Sequence, residues 1–339
     1  MDIYDRVPKI ELHVHLEGAI PAGTMWSLIN KYGGDPSVGS LDDLRRRFVY
    51  RDFAGFIDTW TWKNGFLREY EDFTLIAADV ARAFASQNIR YAEMFVSPSL
   101  FRKSGLRPQE IIHAIHRGLR QANDVRIQLV VDLVRDYGPE REITTLYEIN
   151  EVKHLGILGI GIGGSEHEYP PEPFSGLYER ARKLGFRTDV HAGEAAGPGS
   201  VWGAIRSLHP DRIGHATSAA RDPALLRHCA EHAIALELCP LSNVRTGAVG
   251  SHREYPLLVF MEYGTHFSIN TDDPAMFGNL LADEYRMIEQ SFGISRRGIC
   301  DIILNSVRTA WMDEAEQKEL VEVFSAEIDA LMNVDASGG

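Results

Sequence analysis

The chain is poor in cysteine, in clustered cationic side chains and in long apolar runs, and each shortage removes a class of protein. Its three cysteines (Cys229, Cys239, Cys300) are odd in number and show no paired spacing. A disulfide framework and a thiolate metal cage are therefore not expected, and a reducing compartment suits them as plain buried thiols. Lys plus Arg number 35 against 48 Asp plus Glu, a net charge of -13, and no basic stripe breaks that balance. A nucleic-acid grip displaces counterions with clustered Lys and Arg, so a nucleic-acid partner is not expected. No uncharged run reaches 18 residues, and the start MDIYDRVPKIELH has no apolar signal core. The expectation is a soluble cytoplasmic protein with no membrane span. Hydrophobic residues are 44% of the 339, too many for a disordered chain.

What the chain does have is a rhythm of short apolar segments. Eight read as strands: Ile10–His15, Ile89–Val96, Arg126–Leu133, Ile157–Ile162, Phe186–His191, Arg212–His215, Ile234–Cys239 and His266–Asn270. From the second onward their starts lie 37, 31, 29, 26, 22 and 32 residues apart, the length of a βα unit. Runs such as IALEL and QLVV lack polar alternation, as strands covered on both faces do. Between them, Glu110–Ala122 and LYERARKLG carry helical periodicity, and the chain stays helical in pattern from Asn270 to about Met332. An α/β fold of the (β/α)8 TIM-barrel type, one domain over residues 1–339, is the economical reading, with an open doubly wound sheet as the alternative. Residues 16–88 are too many for one crossover and hold Trp26, Phe48, Phe53, Phe56, Trp60, Trp62, Phe66, Tyr70 and Phe73. They are expected to form a helical insertion over the carboxyl-terminal mouth, or a small cap with its own core.

His13 and His15 lie two apart in a strand, so both side chains face the same way and can serve one metal. His191 ends the fifth strand, His215 the sixth, and Asp272–Asp273 follow the eighth. In a barrel all of these point to one mouth. Imidazoles with a carboxylate suit Zn²⁺ and leave a position for water, although Fe²⁺ and Mn²⁺ share the preference. The fourth strand, ILGIGI, offers no bridging side chain, so one metal is expected rather than two. Glu194, three after His191 in HAGE, is a candidate acid with a raised pKa beside that metal.

The motifs HVHLEG, HAGE, RIGH, CPLSN and SINTDDP, in this order, resemble those of the adenosine/adenine deaminase branch of the metal-dependent amidohydrolases. The resemblance implies a distorted (β/α)8 barrel with one zinc that hydrolyses the 6-amino group of an aminopurine. It further implies that His13, His15, His191 and Asp272 hold the metal, that Glu194 shuttles a proton to purine N1, and that His215 and Asp272 orient the attacking water and take its proton. Asp273 would hold N7, and the Gly164 amide would face N3.

The substrate is less narrowly drawn. Glu17 stands in HLEG where adenosine deaminases of the animal and enteric type carry an aspartate that reads the ribose 5′-hydroxyl. SEHEYPPEPF resembles the adenine deaminase pattern, yet Gly163–Gly164 replace its usual Asp–Ser and leave room around N3 and N9. Adenosine or deoxyadenosine is the leading reading. The alternatives are adenine, a 5′-modified adenosine such as 6-aminodeoxyfutalosine, and, more remotely, a nucleoside-binding protein without turnover. Phe53, Phe56, Trp60 and Trp62 are the expected pocket walls, with Glu17 near the sugar. The helices permit self-association but specify no symmetry.

Overall fold

Strands rich in Val, Ile and Leu have no face to turn to water, and here each lies between helices and a filled interior. A computed structural model describes residues 2–50, 53–122 and 124–337, and the side chains of Phe53, Ala54 and residues 334–337 also fall outside that description. A single turn, α1 (Ile3–Arg6), precedes β1 (Lys9–His15). There follow β2 (Ile89–Val96), β3 (Arg126–Val134), β4 (Ile157–Gly163), β5 (Arg187–Thr188), β6 (His191–Ala192), β7 (Arg212–His215), β8 (Ala235–Leu238) and β9 (Phe267–Ile269). All pairings between consecutive strands are parallel, in the orders β1-β2-β3-β4-β5 and β6-β7-β8-β9.

Two seams join these sheets into an eight-position barrel. At the first, the Asp189 amide donates to Ile160 O (2.8 Å) and the Gly214 amide to Val190 O (2.9 Å). The unbroken strand expected at Phe186–His191 is thereby corrected. Its backbone turns its bonds from β4 to β7 at Asp189–Val190, which leaves the short pieces β5 and β6. At the second seam Val14 bridges Asp272 in parallel. Here the His15 amide donates to Asp272 O (2.9 Å) and the Asp272 amide to His13 O (3.0 Å). The arrangement is the closed parallel (β/α)8 barrel expected from the strand spacing.

Between β1 and β2 run α2 (Ala22–Lys31), α3 (Leu41–Arg47), α4 (Phe53–Asn64) and α5 (Tyr70–Ser86). Helix α5 buries Phe73, Ile76, Ala77, Val80, Ala81 and Phe84, one stripe at three- and four-residue steps. Its Thr74 hydroxyl donates to Ala114 O of the next helix, Pro108–Leu119, at 3.0 Å. Helix α5 therefore belongs to the outer ring, and the extra material is narrower than residues 16–88. After β9 the chain is helical as expected, but its last helix, Glu314–Ser337, runs past Met332.

One charged chain crosses the filled interior. Arg212 of β7 is buried, with a guanidinium nitrogen 2.5 Å from Glu93 of β2 and another 2.7 Å from Glu237 of β8. Its plane covers the Trp311 ring at 3.7 Å, and Glu93 also accepts from Tyr91 (2.8 Å) and from the Trp311 amide (2.5 Å). Removing the cation would leave the buried Glu93 carboxylate without a counter-charge and Glu237 with only His13 beside it. Arg212→Met should therefore lose about 3–5 kcal/mol of stability, read by denaturant unfolding of the metal-free protein. A loss below about 1 kcal/mol would show that these acids are neutralised by other means.

Candidate active site

Strand alternation and the β1–Asp272 seam bring four donor atoms to one point. His15 Nε2 lies 3.2 Å from His191 Nε2, and Asp272 Oδ1 lies 3.4 Å from His15 Nε2 and 3.6 Å from His13 Nε2. His13, His15 and His191 form a compact buried donor group. Donors about 2.0–2.1 Å from one ion lie no more than roughly 4 Å apart, so these spacings fit a shared ion. His13 Nε2 is also buried with no hydrogen-bond partner, as a nitrogen reserved for a metal would be. The close approach is permitted by Gly214 in RIGH, where a Cβ would lie 2.7 Å from the His13 ring. Asp272 and His215 reach inward from left-handed backbone, with φ of 67° and 62°.

The electrostatics call for a cation. Burial works against charge on His13, but the carboxylates of Asp272 and Glu237 outweigh it and hold its imidazolium well above the usual range. Burial pulls His15 down to about 3 and His215 to about 4, and His191 also falls well below the ordinary value. These three are neutral imidazoles, the ligand form. Against its own burial, Asp272 is held below the carboxylate range by His13 and the neighbouring imidazoles. A divalent ion would supply the positive charge that otherwise falls to a proton on His13.

CPLSN explains itself in this setting. Ser242 donates to Asp272 Oδ2 at 2.6 Å, turning Oδ1 toward the histidines. Asn243 Nδ2 lies 3.0 Å from His215 Nδ1 and 3.4 Å from Glu194 Oε1, while its Oδ1 accepts from Thr217 (2.7 Å). An amide N–H donating to Nδ1 leaves the imidazole proton on Nε2, which faces Glu194 Oε2 at 3.6 Å. Burial, then the charges of Asp272 and Glu166, push the Glu194 carboxyl up to about 8. It is an acid with its proton in place at neutral pH.

Glu166 was not anticipated. Its carboxylate accepts from the amides of Gly193 (2.5 Å), Glu194 (3.1 Å), Ala195 (2.8 Å) and Ala196 (3.1 Å), and from Ser200 Oγ (2.6 Å). It thus fixes the HAGE loop. Its only trace in the sequence was the first of three glutamates in SEHEYPPEPF.

A pocket opens onto these groups, lined by His15, His191, Glu194, His215, Asp272 and Asp273 at its reactive end. Phe56, Ile57, Trp60, Leu100 and Val134 form apolar wall, and Gly163, Gly164, Ser97, Asp132 and Glu166 complete it. Of the aromatics singled out in the sequence, Phe56 and Trp60 line this pocket, and Gly164 lines the wall with φ of +111°. Helix α4 is tied down beside the site, with Phe56 stacked on Phe277 at 5.2 Å and Tyr50 donating to Met276 O (2.8 Å).

Two expected pocket residues lie elsewhere, and a third falls outside the description. The Trp62 indole donates to Asp35 (2.9 Å), and Arg47 covers its face, because the helical phase of α4 turns it from Trp60. Glu17 is fully buried and does not line the pocket; Oε1 accepts the Ser97 amide at 3.0 Å. The Phe53 side chain lies outside the described residues. Room expected at Gly163 is already taken, since a Cβ there would lie 2.6 Å from Asp132 Oδ2. Asp132, the one acid in RIQLVVDLV, was passed over because an isolated acid in an apolar strand gives no spacing to read.

A barrel whose strand ends converge three imidazoles, a carboxylate and a protonated glutamic acid defines a metal-dependent hydrolase. The adenosine deaminase family model matches residues 8–327. The chain belongs to the adenosine/adenine deaminase branch of the metal-dependent amidohydrolases, and is a hydrolytic deaminase acting on a purine substrate. It is 34% identical to the aminodeoxyfutalosine deaminase of Streptomyces avermitilis over 95% of this chain and 90% of that one. To the adenosine deaminase of Klebsiella pneumoniae it is 32% identical, over 93% and 97%. An amidohydrolase from Burkholderia ambifaria, solved with bound Zn, superposes with a TM-score of 0.90 at 26% identity, over 98% and 94%.

The Glu166 clasp can be tested without touching a candidate ligand. Glu166→Ala should release the loop that carries Glu194 and cost about 10²-fold in kcat, with metal content by elemental analysis unchanged. Undiminished turnover would show that the loop holds its shape without the clasp.

Proposed function

We propose that the chain is a zinc-dependent deaminase of a 6-aminopurine nucleoside carrying a bulky 5′ substituent, with aminodeoxyfutalosine as the named case. The observation that carries the reaction is the Glu194 carboxyl 3.6 Å from His215 at the edge of the donor cluster, with its pKa pushed up by burial. His13, His15, His191 and Asp272 would hold the zinc, which would supply Lewis-acid activation of a water molecule.

The protein's own groups do the rest. Glu194 gives its proton to N1, which weakens the ring's aromaticity and makes C6 electrophilic. His215, with its proton on Nε2, donates to the attacking oxygen and orients it. That tautomer leaves Asp272 to take the proton from water. The oxygen joins C6, Asp272 passes the proton it took to the amino nitrogen, the bond from C6 to that nitrogen breaks, and ammonia leaves as the proton remaining on the C6 oxygen returns to Glu194. Burial, then the charge of neighbouring Asp272, push the Asp273 carboxyl well above the usual range, which favours the form that can donate to N7. A related division of labour, with a glutamate outside the ligand set acting as acid and base, serves other deaminases.

Three features favour the 5′-modified nucleoside over adenosine, the leading reading from the motifs alone. The relative at 34% identity carries that activity in its name. Glu17 does not line the pocket, and its Oε1 is turned to the Ser97 amide, so it is poorly placed to read a free 5′-hydroxyl. The apolar wall of Phe56, Ile57 and Trp60 suits an apolar extension. Adenosine stands second, on the 32% identity to the Klebsiella enzyme.

Ammonia release from zinc-loaded protein should be measured with adenine, adenosine, 2′-deoxyadenosine, 5′-methylthioadenosine and aminodeoxyfutalosine. The expected order of kcat/KM puts aminodeoxyfutalosine first, at least about tenfold above adenosine. Adenosine or adenine at the head of the series would reassign the substrate. In the same assay Glu194→Gln should lose about 10²–10⁴-fold in kcat while keeping its metal, and near-normal turnover would end its role as acid.

A further inference from the structure

The orienting partner of one candidate ligand is plain. His13 Nδ1 lies 2.6 Å from Glu237 Oε2, which fixes the ring and leaves Nε2 for the centre. His191 has no such partner at first sight, because its Nδ1 is buried and without a hydrogen bond. One buried carboxylate oxygen nearby is in the same condition. Asp132 Oδ1 is also unpartnered, and it lies 4.0 Å from His191 Nδ1.

The setting of Asp132 shows that its carboxyl is accommodated in this place. Asp132 of β3 is opposite Gly161 of β4 in the parallel register. A Cβ on Gly161 would stand 3.3 Å from Oδ1, and one on Gly163 would stand 2.6 Å from Oδ2. The two glycines make a notch in β4 that the carboxyl fills, and a side chain at position 163 would evict it. Ser97 Oγ donates to Oδ2 at 3.3 Å, leaving Oδ1 for the side facing His191.

We infer that Asp132 is the positioning residue of His191, accepting its Nδ1–H as Glu237 does for His13. The gap of 4.0 Å exceeds an ordinary N–H···O contact by about 1 Å, a distance that a small turn of either side chain closes. With the proton held on Nδ1, the Nε2 lone pair faces the centre and the imidazole becomes a better donor to a metal. Two of the three imidazoles are then aimed by carboxylates from different strands, β3 and β8. This assignment rests on reading the cluster as a metal site, and the test separates the two.

Zinc affinity should be measured by chelator competition on wild type, Asp132→Ala and Asp132→Asn. Loss of the acceptor in Asp132→Ala should weaken zinc binding about 10–100-fold, with the unfolding midpoint of the metal-free protein unchanged. Asp132→Asn keeps an acceptor oxygen and should recover most of that affinity. Wild-type affinity in Asp132→Ala overturns the assignment. Should the alanine variant fail to fold, the Nδ1 proton resonance of His191 in zinc-loaded Asp132→Asn decides. An upfield shift supports the contact, because a neutral amide oxygen accepts more weakly, and an unmoved resonance overturns it. Wild-type protein that takes up no zinc would defeat the metal reading itself.

Discussion

Everything at the reactive end of the pocket depends on the seam between β1 and Asp272. Two backbone hydrogen bonds, His15 N to Asp272 O and Asp272 N to His13 O, close the barrel there. The same three residues carry three of the four converging donors, so closure of the fold and assembly of the site are one event. The left-handed backbone at Asp272 is the local cost. In return the carboxylate turns inward between two imidazoles, where Ser242 secures its other oxygen.

From that seam the polar interior continues in two directions. Through His13 it passes to Glu237, Arg212 and Glu93, a run of alternating charge buried under Trp311. Through Asp272 it passes to His215, Asn243 and Glu194, where a proton rather than a cation balances the carboxyl. Buried carboxylates in one interior therefore take different protonation states according to whether a guanidinium, an imidazole or only apolar surroundings face them. That difference lets the same side-chain chemistry provide support in one place and an acid in another.

The sequence disclosed the parts of this design that obey a period. Strand spacing showed the barrel, and β2 and β7 were bounded correctly from pattern alone. The HxH of β1, HAGE, RIGH and the Asp pair stood at strand ends, where a barrel makes position along the chain equivalent to position in space. The break at Asp189–Val190 left no mark, because it comes from exchanging one neighbour strand for another rather than from any residue type. Glu166 and Asp132 were missed for a related reason. Each meets groups some tens of residues away in the chain, and neither forms a spacing with the histidine and aspartate motifs. The aromatics of α4 were visible as a cluster, but only the helix phase separates Trp60, at the pocket, from Trp62, which packs on Arg47.

The seam also sets a schedule. Leu12 of β1 donates its amide to the side chain of Asn270, 258 residues later. A ribosome adding about 5–20 residues per second needs on the order of 10–50 s to cover that distance. Throughout that time the outer edge of the first strand has no neighbour and offers a row of unpaired amides and carbonyls to any passing strand. Synthesis of this chain therefore leaves the free edge of β1 exposed until its partner emerges, and a nascent-chain chaperone that shields Lys9–His15 would guard the edge on which the centre is later built.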